Sequence, residues 1–185
     1  LKVNTLVFVP DGPLRTIPMS ALHDGSQFLI AQYAVAMTPG LDLTDPRPIN
    51  RTRAQLLSSG LTKAVQGFPP LPHVAEEIAH RNSVFKGEQL LDSSFVTQRV
   101  DGALKDGRYS ILHIATHGQF ATDVNQSFLL TYDDRLTMTQ LERLVGLLRF
   151  PPDPLALLTW GACRTGVGDA RAALGVAGIA GKAGA

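Results

Sequence analysis

The chain has 185 residues, 44% of them hydrophobic and 18% charged, which is enough apolar material for one domain with a core but too little for two. The net charge is +1, no basic run reaches four residues and no apolar run reaches ~18 residues, so the sequence predicts neither nucleic-acid binding nor a membrane span. A single cysteine excludes an internal disulfide framework and a zinc site built from several thiolates.

The first forty residues consist of short apolar runs between turn signals. Residues 5–9 and 33–37 have strand composition, and residues 28–30 lead into the second of these runs. Residues 10–12 (Pro-Asp-Gly) and 23–25 (His-Asp-Gly) are typical of tight turns. Short strands joined by such turns predict an antiparallel hairpin region at the N-terminal end.

The rest of the chain alternates strand-like and helix-like segments. Two of the predicted helices have candidate N-caps: Asp92, Ser93 or Ser94 precedes the helix over residues 95–104, and Thr137 or Thr139 lies at the start of the helix over residues 138–148. Such alternation predicts an α/β fold with a mostly parallel sheet flanked by helices. The predicted strands cover residues 54–58, 110–115 and 155–160, and the predicted helices cover residues 73–83, 95–104 and 138–148.

Two of the predicted strands are followed directly by residues that carry chemistry. The strand at 110–115 continues as Thr-His-Gly, with the imidazole at His117, and the strand at 155–160 continues as Gly-Ala-Cys, with the thiol at Cys163. In a parallel sheet, active groups collect on the loops beyond the carboxyl ends of the strands. The separation of 46 residues (117 to 163) leaves room for a helical crossover, so the two strands are expected to be neighbours.

A thiol and an imidazole at one sheet edge suit nucleophilic catalysis. A free thiol with a pKa of ~8.5 is mostly protonated at neutral pH, and an imidazole can remove the proton and later donate it to a leaving amine. The backbone N–H groups of Gly118 and Cys163 are candidates for an oxyanion hole. This chemistry requires no cofactor and no metal.

Residues 112–118 (LHIATHG) and 158–168 (LTWGACRTGVG), with the opening VFVPDGPLRTIPMSALHDG, resemble the CHAT domain family of the caspase and separase clan. The resemblance implies a caspase-like cysteine endopeptidase domain over residues 1–185, with catalytic residues His117 and Cys163 and Gly118 in the oxyanion hole. It also implies that the domain continues with further strands, so that this chain is incomplete at its C-terminal end.

The resemblance further implies a protein or peptide substrate, a neighbouring region of tetratricopeptide-type helical repeats, and a cytoplasmic setting in a bacterium. The chain departs from the family at Gly161, where Ser is usual and caspases have Gln, a position that lines the pocket for the P1 side chain of a caspase substrate. Asp169 is a candidate contact for a basic P1 residue by proximity. Asp133 and Asp134 offer the same charge, but a hairpin turn is the preferred interpretation for them.

These residues also admit other interpretations. His113 and His117 are four residues apart, as metal ligands on a helix would be, but they lie in a strand pattern, which favours a supporting role for His113. The pair Gly166 and Gly168 lacks the remaining residues of a phosphate-binding loop. The alternatives to a peptidase are a catalytically silent scaffold that binds partners, and a hydrolase or acyltransferase acting on a small thioester with the same Cys and His.

Overall fold

In the computed structural model of the chain, the structure describes residues 3–38, 49–106, 108–119, 121, 124–147 and 155–161. Contacts between residues divide the chain into two compact units, Leu1–Asp45 and Pro46–Ala185. Within the described ranges, no helix has both the length and the apolar composition that would let it cross a membrane.

The first unit is built on two strands that run in the same direction. Strand β1 (Thr5–Phe8) pairs in parallel with strand β2 (Ala34–Met37), and Thr5 lies opposite Ala34. The predicted antiparallel arrangement of these strands is therefore wrong. The connection between the strands contains two 3-10 turns and the short helix α1, in the order Gly12–Thr16, Met19–Ala21 and α1 Leu29–Gln32.

The turn signals have local effects that explain this outcome. Asp24 Oδ1 accepts hydrogen bonds from the N–H groups of Gln27 and Ser26. These bonds lower the pKa of Asp24 to about 2, and the bond from Gln27 has the largest effect. The antiparallel pairing that results is limited to one bridge, between His23 and Phe28. Residues 29–32 then form a helical turn, which returns the chain to the starting end of β1, so that β2 enters parallel to it.

The second unit contains a four-stranded sheet, a three-stranded sheet and three helices among its described residues. In chain order these are β3 Leu56–Gly60, α2 Val74–Val84, β4 Gly87–Leu91, α3 Thr97–Lys105, β5 Ile111–Ala115, β6 Gly118–Gln119, β7 Phe128–Leu130, β8 Arg135–Thr137, α4 Met138–Leu147 and β9 Leu157–Trp160.

The larger sheet confirms the predicted α/β fold with a mostly parallel sheet flanked by helices. Its strand order is β4-β3-β5-β9, and all its pairs are parallel. Strands β5 and β9, which precede His117 and Cys163 in the sequence, are direct neighbours, with His113 opposite Thr159. The antiparallel part of the fold is the smaller sheet, β6-β7-β8.

Side-chain alternation along β5 gives the larger sheet two different faces. Leu112 and Ile114 belong to the main apolar core, together with residues of α3 and α4 such as Leu104 and Leu141. Ala115 lies on the opposite face, against Val74 and Ile78 of α2. His113 lies on that second face, so α2 covers the polar side of β5, the strand that precedes His117.

Two helix starts show how local capping and tertiary contacts compete. Helix α4 begins as predicted after Thr137, whose Oγ1 accepts a bond from the Gln140 N–H, while the Gln140 side chain accepts one from the Thr137 N–H. Helix α3 begins at Thr97, later than predicted, because two of the candidate caps bind other groups: Asp92 binds Thr62, and Ser94 Oγ binds the main chain of Leu91. Its first N–H, that of Thr97, donates instead to Asp133 Oδ1, from a turn distant in sequence.

Candidate active site

The main chain of His117 is held by strand β7. The N–H of Leu130 donates to the carbonyl of His117 at 2.8 Å, and Thr116 Oγ1 donates to the carbonyl of Leu130 at 2.6 Å. Thr116 and His117 directly follow β5, so the position of His117 is set by β5 before it and by these two bonds to Leu130. The main chain of His117, the candidate base, is therefore held in a fixed position.

The ring of His117 has a hydrogen-bond partner that sequence could not identify. Its Nε2 lies 2.7 Å from the carbonyl oxygen of Pro69. Because a carbonyl can only accept, Nε2 carries the proton, and in the neutral ring Nδ1 is the basic nitrogen. Phe68 packs against the ring at a centroid distance of 5.2 Å, and His117 is 8% exposed.

The carbonyl of Pro69 has little freedom to move. Residues 69 and 70 are both proline, so the ring of Pro69 fixes its own φ and the following ring restricts Pro69 to extended conformations. The tight turn before it has positive φ at Gln66 (51°) and Gly67 (81°), and the Phe68 N–H donates to the carbonyl of Val65 at 2.9 Å. This geometry presents Phe68 and Pro69 together to the imidazole.

We refer to residues 62–73, which connect β3 to α2, as the histidine loop. Its first residues are held by Asp92, whose carboxylate accepts bonds from Thr62 N–H (2.7 Å), Thr62 Oγ1 (2.6 Å) and Lys63 N–H (3.1 Å). Near its end, the Leu71 N–H donates back to the carbonyl of Thr62 at 3.1 Å. Burial alone would raise the pKa of Asp92, but the bonds from Thr62 and Lys63 hold it below its ordinary value.

The two candidate glycines lie near this edge of the sheet. Gly118 is the first residue of β6, is buried, and lies opposite Leu129 of β7. Gly161 follows β9, and its N–H donates to the carbonyl of Ile114 at 2.9 Å. A β-carbon at Gly161 would lie 3.6 Å from Glu77 Oε1, at ordinary contact distance. Cys163 and Asp169 lie outside the described residues.

His113 links the two strands that lead to His117 and Cys163. Its Nδ1 lies 2.7 Å from Thr159 Oγ1 on β9, and its Nε2 lies 3.2 Å from Glu77 Oε1, which also binds Arg81 at 2.9 Å. Burial, reinforced by the charge of Arg81 and opposed by that of Glu77, lowers the pKa of His113, so the ring is neutral at neutral pH. This arrangement agrees with the supporting role predicted for His113.

A cavity of about 230 Å³ opens beside His113 on the face that α2 covers. His117 is not among its lining residues, so this cavity is separate from the candidate catalytic edge. Among the residues that the structure describes, no three His, Cys, Asp or Glu side chains come together as metal ligands would. The cavity is lined by Leu56, His80, Arg81, Val84, Phe85, Ile111, His113, Leu157 and Thr159.

The preferred turn interpretation of Asp133 and Asp134 agrees with the structure. Residues 131–134 connect β7 to β8, and Asp133 Oδ1 accepts bonds from Thr97 N–H and Thr131 Oγ1. Asp134 Oδ1 accepts a bond from the N–H of Arg135 at 2.7 Å. Both carboxylates therefore serve the turn, and that of Asp133 also serves the start of α3.

The fold and the site define a class of protein: an α/β domain with a histidine that is hydrogen-bonded to a main-chain carbonyl at the carboxyl end of a central parallel strand. The family model of the CHAT domain matches residues 1–185. The chain thus belongs to the CHAT domain family, which is related to the caspase-like peptidases. A search among curated proteins gives no significant match.

Proposed function

We propose that the chain is a cysteine endopeptidase that hydrolyses peptide bonds of a protein or peptide substrate, with Cys163 as nucleophile and His117 as base. One observation carries the proposal. The bond from His117 Nε2 to the Pro69 carbonyl leaves Nδ1 as the basic nitrogen of an immobilised ring at the carboxyl end of β5. Membership of a family related to caspase-like peptidases supports the same reaction class.

The strand register supports the pairing of His117 with Cys163. Residues that face each other on β5 and β9, such as His113 and Thr159, are 46 positions apart. His117 and Cys163 have the same separation in the sequence. Since neighbouring strands lie ~4.8 Å apart, groups with this separation in sequence are candidates to meet at the edge of the sheet, which favours the pair His117 and Cys163.

The reaction then proceeds by four proton transfers through one nitrogen, two during acylation and two during hydrolysis of the thioester. Nδ1 of His117 takes the proton from the thiol of Cys163, and the thiolate attacks the substrate carbonyl carbon. The protonated imidazole gives this proton to the amine as the C–N bond breaks, leaving a thioester. Nδ1 next removes a proton from water, whose oxygen attacks the thioester, and the returning proton regenerates the thiol as the carboxylic acid departs.

The pairing of β6 with β7 supports Gly118 as a donor to the oxyanion. Because the Leu130 N–H donates to the His117 carbonyl, His117 and Leu130 form a hydrogen-bonded pair. The next pair along, Gly118 and Leu129, is then of the other type, with N–H groups directed away from the partner strand. An N–H in that position is suited to stabilise the charge that develops in the transition state, together with the N–H of Cys163.

The test compares the wild-type protein with Cys163→Ala and His117→Ala on a library of fluorogenic peptides, with an electrophilic probe for the thiol. We expect cleavage to disappear in Cys163→Ala and to fall by about 10²- to 10⁴-fold in His117→Ala. Mass spectrometry should locate the probe on Cys163. His80→Ala, an exposed histidine on α2, is the matched control and should keep wild-type activity.

The proposal fails if Cys163 reacts with the probe no faster than free cysteine and if its reactivity is the same in His117→Ala. That outcome favours the alternative of a catalytically silent scaffold that binds partners. Pull-down with the wild-type chain and with Cys163→Ala, giving equal recovery of the same protein partner, would then be the positive evidence for a scaffold.

A further inference from the structure

We infer that Gln66 is a positioning residue for His117, acting through the histidine loop rather than by contact with the imidazole. The importance of this role for catalysis rests on the proposed function, whereas the positioning itself does not. The inference starts from an unusual conformation: Gln66 has a φ of 51°, in the left-handed region that side chains other than Gly, Asn and Asp rarely occupy. A residue that occupies this region at a cost needs a compensating contact.

The side-chain amide of Gln66 supplies that contact. Its Nε2 lies 3.1 Å from the carbonyl of Thr131, and the carbonyls of Tyr132 and Asp134 are 3.5 and 3.4 Å away. All three acceptors belong to the turn between β7 and β8. One amide group therefore ties the tip of the histidine loop to a single turn of the smaller sheet.

This turn is a rigid point of attachment. The N–H of Thr131 donates to the carbonyl of Asp134 at 2.9 Å, and Thr131 Oγ1 donates to Asp133 Oδ1 at 2.9 Å. The turn is also fastened to the chain that precedes α3, since the Tyr132 N–H donates to the carbonyl of Phe95 at 2.9 Å. A side chain that binds this turn is thus held in place relative to several elements of the fold at once.

The strand that leads into this turn also holds the main chain of His117. Leu130 of β7 binds the carbonyl of His117, and the turn that begins at the next residue binds Gln66. Two residues after Gln66, Phe68 contacts the His117 ring, and Pro69 accepts the bond from Nε2. The hairpin of β7 and β8 therefore fixes both the backbone of the histidine and, through Gln66, the group that orients its ring.

The experiment uses Gln66→Glu, which keeps the size of the side chain but replaces its amide donors by a carboxylate that repels the three carbonyls. The second variant, Gln66→Asn, keeps the amide and tolerates positive φ but is one methylene too short to reach the turn. Gln98→Ala, an exposed glutamine on α3, is the matched control. The primary readout is the ¹⁵N spectrum of the histidine rings, which distinguishes protonation at Nε2 from protonation at Nδ1.

We expect wild type and Gln98→Ala to show His117 as a single tautomer with the proton on Nε2. Both Gln66 variants should lose this signature and show averaged tautomers, while the signals of His113 remain unchanged and report an intact fold. The rate of probe reaction at Cys163 should fall by about 10- to 100-fold, the usual effect of a displacement of ~1 Å at a reacting group.

A wild-type His117 signature in either folded Gln66 variant overturns the inference. If the wild-type protein cleaves no peptide and Cys163 is unreactive, the proposed function fails. Loss of the Nε2–H signature in the variants would still support positioning by Gln66, because the ring spectrum is independent of turnover. Failure of the inference about Gln66 and failure of the proposed function therefore give different experimental results.

Discussion

The two ends of the parallel sheet in the second unit use polar side chains in different ways. At the carboxyl end, Asp92 and Gln66 bind main-chain N–H and carbonyl groups and thereby hold the loop that contacts His117. At the amino end, Glu88 binds the exposed side chains of Arg99 and Arg108. Contacts to the main chain fix the course of the backbone, whereas exposed ion pairs can exchange partners with water. We therefore expect substitutions at the carboxyl end to have the larger consequences.

The largest effect is expected for Gly60→Ala, at the last residue of β3. A β-carbon there would lie 2.6 Å from Val74 Cγ1 and 2.7 Å from the carbonyl oxygen of Ala115. Relief of the first overlap requires Val74 of α2 to move away from the sheet, and relief of the second requires β3 and β5 to shift relative to each other. Overpacking of this kind typically lowers the free energy of unfolding by ~1–3 kcal/mol, and the displaced backbone also carries the histidine loop.

Urea denaturation measures this loss, and Gly102→Ala is its matched control. Gly102 lies within α3, and a β-carbon there would have no neighbour within 4 Å. Alanine in a helix interior should raise the free energy of unfolding by up to ~1 kcal/mol. Equal midpoints for the two alanine variants would show that the contact between α2 and β3 is more tolerant than the distances indicate.

An intermediate effect is expected for Asp92→Asn, and it should depend on pH. The pKa of Asp92 is lower in the folded state than its ordinary value of 3.8, so the folded protein favours the ionised form. Its contribution to stability is present above pH ~4 and is lost as the pH falls through the folded pKa. At pH 7 the loss of a charged acceptor should cost about 1 kcal/mol, less than at a fully buried site because water screens the partly buried Asp92.

The measurement is urea denaturation of wild type and Asp92→Asn between pH 7 and pH 3. The difference in the free energy of unfolding between the two proteins should shrink as the pH falls below about 4. A difference that stays constant over this range would contradict a stabilising role for the ionised carboxylate. The matched control is Asp106→Asn, because Asp106 is exposed at the end of α3.

The smallest effect is expected for Glu88→Gln at the amino end. Glu88 Oε1 lies 3.6 Å from Arg99, and Oε2 lies 3.2 Å from Arg108 and 2.5 Å from the Tyr109 hydroxyl. Exposed ion pairs are typically worth ~0–1 kcal/mol, and an amide oxygen still accepts a bond from Tyr109. Thermal denaturation measures the change in the free energy of unfolding. A decrease above ~2 kcal/mol, or a change in Cys163 reactivity, would contradict the expected difference between the amino and carboxyl ends of the sheet.

The parts of the fold that the sequence predicted are those with long apolar patterns. Strands β5 and β9 were predicted close to their observed bounds from near-continuous apolar runs, and helices α2 and α4 from helical patterning with residues that start or end a helix. Strand β4 was missed because GEQLL carries a charge at the half-buried Glu88 and an amide at the exposed Gln89. Strands β6, β7 and β8 have two or three residues each, too few for a period to emerge.

The candidate site shows a similar division. His117 was predicted from its residue type and its place after a buried strand, but its acceptor, the carbonyl of Pro69, is a group that every residue possesses. Only tertiary structure selects one carbonyl among many. A weak signal was present in Gln66-Gly67, since a glycine in a short polar pair between Val65 and Phe68 is typical of a tight turn. The pairing of Thr159 with His113 likewise depends on strand register.

The use of a main-chain carbonyl to orient His117 has a consequence for mutational tolerance. A side-chain partner can be lost through a single codon change, but no codon change removes the carbonyl of residue 69. Alanine scanning of that position therefore leaves the acceptor in place and removes only the restriction that the Pro69 ring puts on its own φ, so a scan tests the path of the backbone there and not the acceptor itself. The residues that set the path of the backbone are therefore the ones whose substitution displaces the carbonyl. We expect inactivating mutations to cluster at the residues that hold the histidine loop in place.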